Sequence, residues 1–406
     1  MRIGVVRETT PGERRVALIP QEVDALRKAG HDILVESGAG DAAGFPDAAY
    51  ADRGAQIVNR SAAFTAEIMV FVRAPGGSRE ADAVLNELRP GQVTIGLADP
   101  LGSPGVALRA AEAGVTSFAL ELLPRITRAQ AMDVLSSQAA IAGYKAALIA
   151  AGRLNKIMPM LTTAAGTLPP ARGLVIGAGV AGLQAIATSR RLGAVVSAYD
   201  VRAAAREQAE SVGATFVDLG LDTAGAEGSG GYATALGEDF YRRQREALGK
   251  VVATQDFVIT TAQVPGVRAP VLVTAEMVRA MAPGSVIVDI AAAQGGNCEL
   301  SVPDDVVDVG GVQVVAPTNL PSTVPAHASR LYAKNLVNFI KHLVVDDRVR
   351  VEADDQVIRE PLVTFGGQVV SPRVRELLGL PGLTAAVPPP APPRAENQSV
   401  SSAAGS

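Results

Sequence analysis

The sequence has no tryptophan, three histidines and a single cysteine among its 406 residues. One cysteine, Cys298, excludes an internal disulfide, which agrees with a reducing compartment such as the cytoplasm. The histidines His31, His327 and His342 form no close cluster with Cys298, so the sequence contains no zinc-binding motif. We therefore expect no metal site. We expect Cys298 to be a buried, inert thiol, with a reactive thiol as the alternative.

Strong charge and long apolar runs are also absent. The net charge is −4, and this balance offers no basic surface for nucleic acid, so no nucleic-acid partner is expected. No uninterrupted apolar run approaches the ~18–20 residues that span a bilayer, and the apolar N-terminal stretch is too short for a signal peptide. We expect that the chain does not cross a membrane by itself, although it can still dock on a membrane protein.

Strand-forming and helix-forming stretches alternate through most of the chain. Its length exceeds what one hydrophobic core usually serves, so two domains are expected. The alternation predicts an α/β protein of two Rossmann-like domains, each with a mainly parallel, doubly wound sheet, joined by long helices. We assign residues 1–133 and 328–380 to a discontinuous first domain and residues 134–327 to a second domain. Residues 381–406, rich in Pro, Ser and Ala, are predicted to be a disordered tail.

The apolar patterns locate the main elements. Strands are predicted at residues 2–6, 33–36, 68–72, 93–97, 115–119, 173–176, 195–198, 257–261, 285–290 and 312–315. Helices are predicted at residues 21–28, 106–113, 134–151, 183–192 and 326–343.

The most informative segment is a glycine motif that follows an apolar strand. Gly177, Gly179 and Gly182 form G-x-G-x-x-G, a helix and a second strand follow, and Asp200 ends that strand. The first glycine allows a tight turn, the second lets the backbone approach a pyrophosphate, and the third lets helix and strand pack closely. Asp200 can accept a hydrogen bond from a ribose 2′-hydroxyl and repels a 2′-phosphate. The motif therefore predicts a dinucleotide site that favours NAD over NADP, which makes residues 134–327 the NAD-binding domain.

Three further segments need an interpretation. Residues 125–133 are polar and break the strand–helix alternation. The small-residue helix that follows them would pack closely at a domain junction or in a dimer. An ordinary surface loop that leads into a packed helix is an equally open interpretation. Residues 220–237 are glycine-rich and predict either a disordered stretch or a lid, with Tyr232 favouring the lid. A second glycine run, residues 38–44, is interrupted by Phe45-Pro46, which argues against a second nucleotide site.

Several motifs together resemble the alanine dehydrogenase and transhydrogenase superfamily over about residues 1–378. They comprise residues 7–8, 12–17, 125–133 with 135–138, 177–202, 230–233, 289–298 and 318–322. Within that superfamily the 125–133 loop is most similar to the NAD(H)-binding alpha subunit of proton-translocating transhydrogenases. The resemblance implies direct hydride transfer from NADH on this chain to NADP⁺ on a partner subunit, coupled to proton translocation by a membrane-spanning subunit. It also implies a homodimer at the cytoplasmic face of the cell membrane, attached through those partners.

The resemblance also implies a set of site residues. Arg125, Gln130, Asp133 and Ser136 would surround the nicotinamide, with Gln130 also reaching the partner's nicotinamide. The cofactor-binding set comprises Arg125, Ile126, Thr127, Gln130, Ala131, Met132, Asp133, Gly177, Gly179, Val180, Gly182, Asp200, Val201, Arg202, Gly231, Tyr232, Gln244 and Gln263. Gly231 and Tyr232 would belong to the lid. We further expect Arg125 or Arg128 to pair with Asp133 and hold the loop.

Two alternative functions remain open from the sequence. An alanine dehydrogenase of this superfamily would use a lysine and a histidine in the first domain, but Arg73 and Asp99 stand where they are expected. Arginine cannot act as a base at neutral pH, whereas hydride transfer between two nicotinamides needs only alignment. Arg15 matches a substrate-binding arginine of the superfamily, although a structural charge is the simpler interpretation. The other alternative is a non-catalytic NAD-binding regulatory module.

Overall fold

Two parallel sheets dominate the molecule. The computed structural model describes residues 1–78, 80–221, 223, 237–263, 266–351 and 354–383. The strands are β1 (Arg2–Val5), β2 (Asp32–Glu36), β3 (Gln56–Val58), β4 (Ile68–Arg73), β5 (Val93–Leu97), β6 (Thr116–Ala119), β7 (Leu161–Thr163), β8 (Gly166–Leu168), β9 (Arg172–Ile176), β10 (Val195–Tyr199), β11 (Thr215–Phe216), β12 (Phe257–Thr260), β13 (Val286–Asp289), β14 (Val306–Val309), β15 (Val312–Val315), β16 (Val344–Val345), β17 (Arg348–Val349), β18 (Leu362–Phe365) and β19 (Gln368–Val369). The helices are α1 (Pro20–Arg27), α2 (Asp47–Ala51), α3 (Arg60–Ala63), α4 (Ala81–Glu87), α5 (Pro104–Glu112), α6 (Val134–Arg153), α7 (Val180–Arg191), α8 (Ala204–Ser211), α9 (Glu238–Val252), α10 (Ala275–Ala280), α11 (Pro325–Leu343), α12 (Gln356–Arg359) and α13 (Pro372–Leu377).

The first sheet has the strand order β19-β18-β6-β5-β4-β1-β2-β3. Strands β1 to β6 pair in parallel, and β18 adds antiparallel to β6 at one side. The central strand β4 is buried on both faces over Ile68 to Val72, which explains its continuous apolar sequence. Because β18 and β19 lie near the C-terminal end of the chain, this sheet is assembled from both ends of the sequence.

The second sheet has the order β11-β10-β9-β12-β13-β15-β14, parallel except for β14 at its edge. From β9 the chain builds β10 and β11 on one side and then crosses to β12, β13 and β15 on the other. In a doubly wound sheet this reversal opens a crevice at the carboxyl ends of the two central strands, here β9 and β12. The expected α/β class with two mainly parallel sheets is confirmed.

Two long helices lie between the sheets. α6 packs along α7 and touches α11. Its buried alanines belong to the core of the second sheet, whereas Tyr332, Leu336 and Phe339 of α11 lie in the core of the first. A Cβ at Gly143 of α6 would overlap the carbonyl oxygen of Ala181 in α7. The small residues of α6 therefore serve close helix packing within the chain. α6 contacts β12 and β13 of the second sheet, whereas Phe339 of α11 packs against Phe118 of β6 in the first. The division at 133/134 and 327/328 stays a prediction.

Helix α6 is also the one helix of the described ranges with the length and mean hydropathy, 1.3, of a membrane span. In this structure it contacts α7 and α11, and it carries Lys145 and Arg153.

The structure corrects several element boundaries. α7 begins at Val180, inside the glycine motif and three residues before the predicted start at residue 183. The sequence analysis did not predict β3, the β7–β8 hairpin, β14, or β18 with β19, because these strands have only two to four residues and so are too short to show a period. The lid residues Gly231 and Tyr232, and residues 384–406 of the predicted tail, lie outside the described residues.

Candidate functional site

A glycine turn connects β9 to α7 at the crevice of the second sheet. Gly177 has φ +95°, and a Cβ there would lie 2.6 Å from Oγ1 of Thr261. A Cβ at Gly182 would overlap the carbonyl oxygen of Gly177, whereas a Cβ at Gly179 would meet no described atom within 4 Å. The first and third glycines are thus required by packing, and the second leaves open space beside the start of α7. This geometry fits a pyrophosphate held by the first backbone N–H groups of the helix.

Thr261 supports the turn from the neighbouring strand. Its hydroxyl donates to the carbonyl oxygen of Gly177 at 2.9 Å. Sequence reasoning did not select Thr261, because nothing in the chain order shows that the residue after β12 lies beside the glycine turn.

Asp200 lies next to this turn, as the motif predicts. It accepts hydrogen bonds from the backbone N–H of Ala178 at 2.7 Å and of Arg202 at 2.9 Å. The guanidinium of Arg202 also donates Nε to Oδ1 at 2.9 Å and Nη2 to Oδ2 at 2.7 Å. The carboxylate is therefore in position for a ribose, but its charge is paired. The expectation that Asp200 repels a 2′-phosphate stays a prediction.

Gln244 is buried behind the end of β10. It lies on α9 with 1% of its surface exposed, and its Nε2 donates to the hydroxyl of Tyr199 at 2.9 Å. Its Oε1 is buried and has no hydrogen-bond partner among the described residues. Burial raises the pKa of the Tyr199 hydroxyl, so Tyr199 is a neutral acceptor for this bond. Gln244 therefore supports the strand that carries Asp200.

A buried hydrogen-bond network around Asn297 and Asp289 lies on the other side of the crevice. Asn297 donates Nδ2 to the carbonyl oxygens of Ala262 and Pro270, at 2.8 and 2.9 Å, and accepts the N–H of Ala262. Asp289 is fully buried and accepts the backbone N–H of Asn297 and Cys298. Because Gln263 follows Ala262, this hydrogen-bond network positions Gln263 near the end of β12.

Cys298 is itself part of this buried region. It is 2% exposed, and burial raises the pKa of its thiol to about 11. The interpretation as a buried, inert thiol is the one that the structure supports.

The predicted nicotinamide loop is a 3₁₀ helix, Thr127–Met132, followed directly by α6. Asp133 caps α6, since its carboxylate accepts the N–H of Ser136 at 2.9 Å and the hydroxyl of Ser136 at 2.6 Å. The expected pairing of Arg128 with Asp133 is wrong: Arg128 binds Asp355 at 2.6 Å. Asp133 instead uses its acceptors for the cap, which the S/T/D/N rule at a helix start could have indicated.

Contacts with α11 hold the rest of this loop. The carbonyl oxygen of Ala131 accepts Nδ2 hydrogen bonds from Asn335 and Asn338, each at 2.9 Å. The side chain of Met132 is buried in the core of the first sheet, so it does not line an open site. Gln130 and Arg125 are exposed at the surface.

Helix α6 connects the two halves of the predicted site. Its N-terminus carries Asp133, and its Gly143 contacts α7 beside the glycine turn. At 1.5 Å per residue these two positions are about 15 Å apart along the helix. The structure brings together one group of predicted residues at the turn (Gly177, Gly179, Val180, Gly182, Asp200, Val201, Arg202 and Gln244) and a second at the start of α6 (Arg125, Ile126, Thr127, Gln130, Ala131, Met132, Asp133 and Ser136), with Gln263 at the end of β12.

A buried ion-pair network lies where an amino-acid substrate would be expected. Arg15 donates Nε and Nη2 to the two carboxylate oxygens of Glu13, at 2.7 and 2.6 Å, and Nη1 to Gln138 at 2.9 Å. Nδ2 of Asn319 also donates a hydrogen bond to the Glu13 carboxylate, and Arg73 forms an ion pair with it. Burial opposes ionisation of Glu13, but the bonds and charge of Arg15 outweigh it and lower the pKa of Glu13 to about 2. Arg15 is therefore a structural charge in this structure.

Two other carboxyl groups near this network favour the protonated form. Burial raises the pKa of Glu8 to about 8, and the negative charge of Glu13 adds to the effect. Burial likewise raises the pKa of Glu121 to about 7. Asp99, at the position where a histidine was considered, has φ +43° and donates its N–H to Glu121. Within the described residues no set of three His, Cys, Asp or Glu side chains is arranged to hold a metal ion.

Comparison with known proteins agrees with this geometry. Two family models match, "Alanine dehydrogenase/PNT, N-terminal domain" over residues 4–142 and "Alanine dehydrogenase/PNT, C-terminal domain" over residues 146–372. An NAD(P) transhydrogenase subunit alpha chain of Rhodospirillum rubrum is 45% identical over 92% of this chain and 98% of its own length. The alanine dehydrogenase of Bacillus subtilis is 29% identical over 93% of this chain and 95% of its own.

A solved structure extends the likeness to three dimensions. The transhydrogenase of Sinorhizobium meliloti superposes with a TM-score of 0.79 and 43% identity, over 92% of this chain and 99% of the solved chain. The resemblance inferred from the motifs is thus confirmed: the chain belongs to the alanine dehydrogenase/PNT family.

Proposed function

We propose that this chain is the NAD(H)-binding alpha subunit of an NAD(P) transhydrogenase. Hydride passes directly between its NADH and an NADP⁺ held by a partner subunit, and a membrane-spanning subunit couples the transfer to proton translocation. The observation that carries the proposal is the glycine turn with Asp200, joined by α6 to the 125–133 loop. The higher identity to transhydrogenase subunits than to alanine dehydrogenase supports the same choice.

The residues fit a dinucleotide at both ends of α6. Gly177, Gly179 and Gly182 would cradle the pyrophosphate, and Asp200 would hold the adenosine ribose. The nicotinamide would be surrounded by Arg125, Gln130, Asp133 and Ser136. When NADH is bound, its reduced nicotinamide would supply the hydride. These side chains only bind and orient, and orientation can supply about 7–11 kcal/mol of a barrier.

The ion-pair network argues against amino-acid chemistry. Oxidative deamination needs a group that moves protons at the substrate carbon. Arg73 cannot do so at neutral pH, and Arg15 is committed to the Glu13 carboxylate. The alanine dehydrogenase alternative therefore lacks both the lysine and the histidine that it would use, since Arg73 and Asp99 stand at those positions.

The partners and location follow from this proposal. We infer that the chain sits at the cytoplasmic face of the membrane, bound to the membrane-spanning and NADP-binding subunits, and that it forms a homodimer. The β7–β8 hairpin supports a further contact: it pairs with no other strand of the described residues, and its Met160, Leu161 and Leu168 are 63%, 45% and 53% exposed. An isolated two-stranded hairpin is marginal in water, so a second copy of this chain covering it would stabilise it. Sedimentation of the purified chain measures the oligomeric state.

Reconstitution tests the proposed function directly. The chain alone should bind NADH, seen as a change in nicotinamide fluorescence, but transfer almost no hydride to NADP⁺. Adding the NADP-binding partner should restore transfer. NADH binding without transfer in a folded mixture would favour the regulatory module, and turnover of pyruvate and ammonia with NADH would favour the amino-acid oxidoreductase.

Gln130→Asn tests the role of the loop. Shortening this exposed side chain should leave the Kd for NADH within about twofold and slow transfer in the reconstituted complex by about tenfold, because alignment rather than binding is lost. The comparison is steady-state transfer against equilibrium NADH binding. A large loss of NADH affinity would instead place Gln130 in coenzyme binding alone.

A further inference from the structure

The acceptor capacity of Asp200 is fully used in this structure. Oδ1 accepts the backbone N–H and Nε of Arg202, both at 2.9 Å. Oδ2 accepts the backbone N–H of Ala178 and Nη2 of Arg202, both at 2.7 Å. An ionised carboxylate has about four lone-pair sites, and these four donors fill them. The side chain of Asp200 is 6% exposed, so water does not compensate for a lost donor.

The four donors differ in how easily they leave. The N–H groups of Ala178 and Arg202 belong to the glycine turn and to the segment after β10, so the fold holds them in place. The guanidinium stands on a long side chain that is 17% exposed, so it is the donor that can be displaced without a change of the backbone. Its departure would free one lone pair on each oxygen. Two adjacent hydroxyls of a ribose would need one acceptor on each oxygen.

We propose that the Arg202 guanidinium is an internal competitor for the adenosine ribose, and that Arg202 thereby sets the preference between NADH and NADPH. The inference rests on the proposed NADH site at this turn. NADH must displace the guanidinium from Asp200 before its ribose hydroxyls bind. The ion pair therefore weakens NADH binding in the native chain, and Arg202 does not have the NADH-binding role that the resemblance implies for it.

The same guanidinium has the opposite effect on NADPH. Once displaced it remains beside the ribose, where it can pair with a 2′-phosphate by charge-assisted hydrogen bonds. The Asp200 carboxylate alone would repel that phosphate. Arg202 thus lowers the discrimination that Asp200 would otherwise provide, and its removal should sharpen it.

Equilibrium binding of both coenzymes tests this inference. The chain has no tryptophan, so nicotinamide fluorescence is measured without tryptophan interference. For Arg202→Ala we expect the Kd for NADH to fall about three- to fivefold, as for release of a partly exposed ion pair. The Kd for NADPH should rise about tenfold through loss of a charged hydrogen-bond partner. Adenosine 5′-monophosphate and adenosine 2′,5′-bisphosphate should show the same opposite changes, which would locate the effect at the adenosine ribose.

Two other variants complete the experiment. Arg206→Ala on α8 removes the same charge from an exposed pair with Asp218, and both Kd values should stay within about twofold. Arg202→Lys keeps the charge without the bidentate geometry, so its Kd values for NADH and NADPH should lie between those of Arg202→Ala and of the native chain. This variant also provides a test if Arg202→Ala does not fold.

The outcomes separate the two proposals. If the native chain binds no NADH, the proposed function fails and this inference fails with it. If the native chain binds NADH but Arg202→Ala binds it equally or more weakly, Arg202 is no competitor and only this inference is overturned. Equal changes for NADH and NADPH would likewise overturn it.

Discussion

At the residue scale, each glycine of the turn has a different physical constraint. Gly182 has no room for a side chain because a Cβ would overlap the carbonyl oxygen of Gly177, whereas Gly179 faces open space. Both positions satisfy the same sequence motif. The structure separates a glycine needed for packing from one needed for the approach of a ligand.

Alanine substitutions at these two positions should separate stability from binding. Gly182→Ala should lower the free energy of unfolding by about 1–3 kcal/mol through overpacking and should weaken NADH binding as a consequence. Gly179→Ala should leave stability almost unchanged and weaken only NADH binding. Urea unfolding and fluorescence titration measure the two effects. Equal stability losses in both variants would contradict this assignment.

Glu8 should make stability depend on pH. Its pKa is raised from 4.5 to about 8 in the folded chain by burial and by Glu13. A raised folded-state pKa gives a stabilising contribution that is complete below the unfolded pKa and is lost as pH rises to about 8. Glu8→Gln removes this titration. Between pH 5 and pH 9 the free energy of unfolding of the native chain should therefore fall, relative to that of Glu8→Gln, by on the order of a few kcal/mol.

The measurement is urea unfolding of both proteins across that range. Glu112→Gln, at an exposed position on α5, serves as the control and should run parallel to the native chain. A native chain that also runs parallel to Glu8→Gln would exclude a raised pKa.

At the scale of elements, helix α6 organises the candidate site. Asp133 caps its start, where the 125–133 loop ends, and Gly143 brings it against α7. The same carboxylate was expected from the resemblance to bind coenzyme. Its bonds to Ser136 show that it first serves the helix, so any role toward a ligand adds to that structural one.

Two substitutions at Asp133 should distinguish the cap from the ligand role. Asp133→Ala should cost about 0.5–2 kcal/mol of stability through loss of the cap. Asp133→Asn retains a capping oxygen and should restore most of that stability. If Asp133 also binds NADH through its charge, Asn will restore stability without restoring affinity. Full recovery of both would limit Asp133 to the cap. Thermal unfolding and NADH titration are the measurements.

At the scale of the whole molecule, the Glu13–Arg15 pair joins distant parts of the chain. Arg15 bonds to Gln138 on α6 and lies 3.3 Å from the amide oxygen of Asn319, which follows the second sheet. Ser322 adds a bond to the carbonyl oxygen of Gly12. The network therefore links the N-terminal loop to both α6 and the segment that leads into α11.

Removing only Arg15 from the Glu13–Arg15 pair should cost more stability than replacing both residues. Arg15→Met leaves the Glu13 carboxylate buried without its main partner and should cost about 3–5 kcal/mol. The double variant Glu13→Gln/Arg15→Met removes the stranded charge and should be more stable than Arg15→Met alone. Urea unfolding of the single and double variants gives the comparison. A double variant that is less stable than the single one would exclude the buried charge as the cause.

The sequence determined the fold class and the position of the dinucleotide turn, because alternating apolar periods and a glycine motif are local signals that need no distant contact. It also indicated the family through short motifs along the chain. Only the tertiary structure decided which partners the charged residues have. It paired Arg128 with Asp355 rather than Asp133, joined Arg15 to Asn319, and placed Thr261 beside Gly177. It also selected Arg202 from the available cations as the partner of Asp200. Hydrogen bonds and ion pairs depend on distances of a few ångströms between side chains, and chain order alone does not specify those distances.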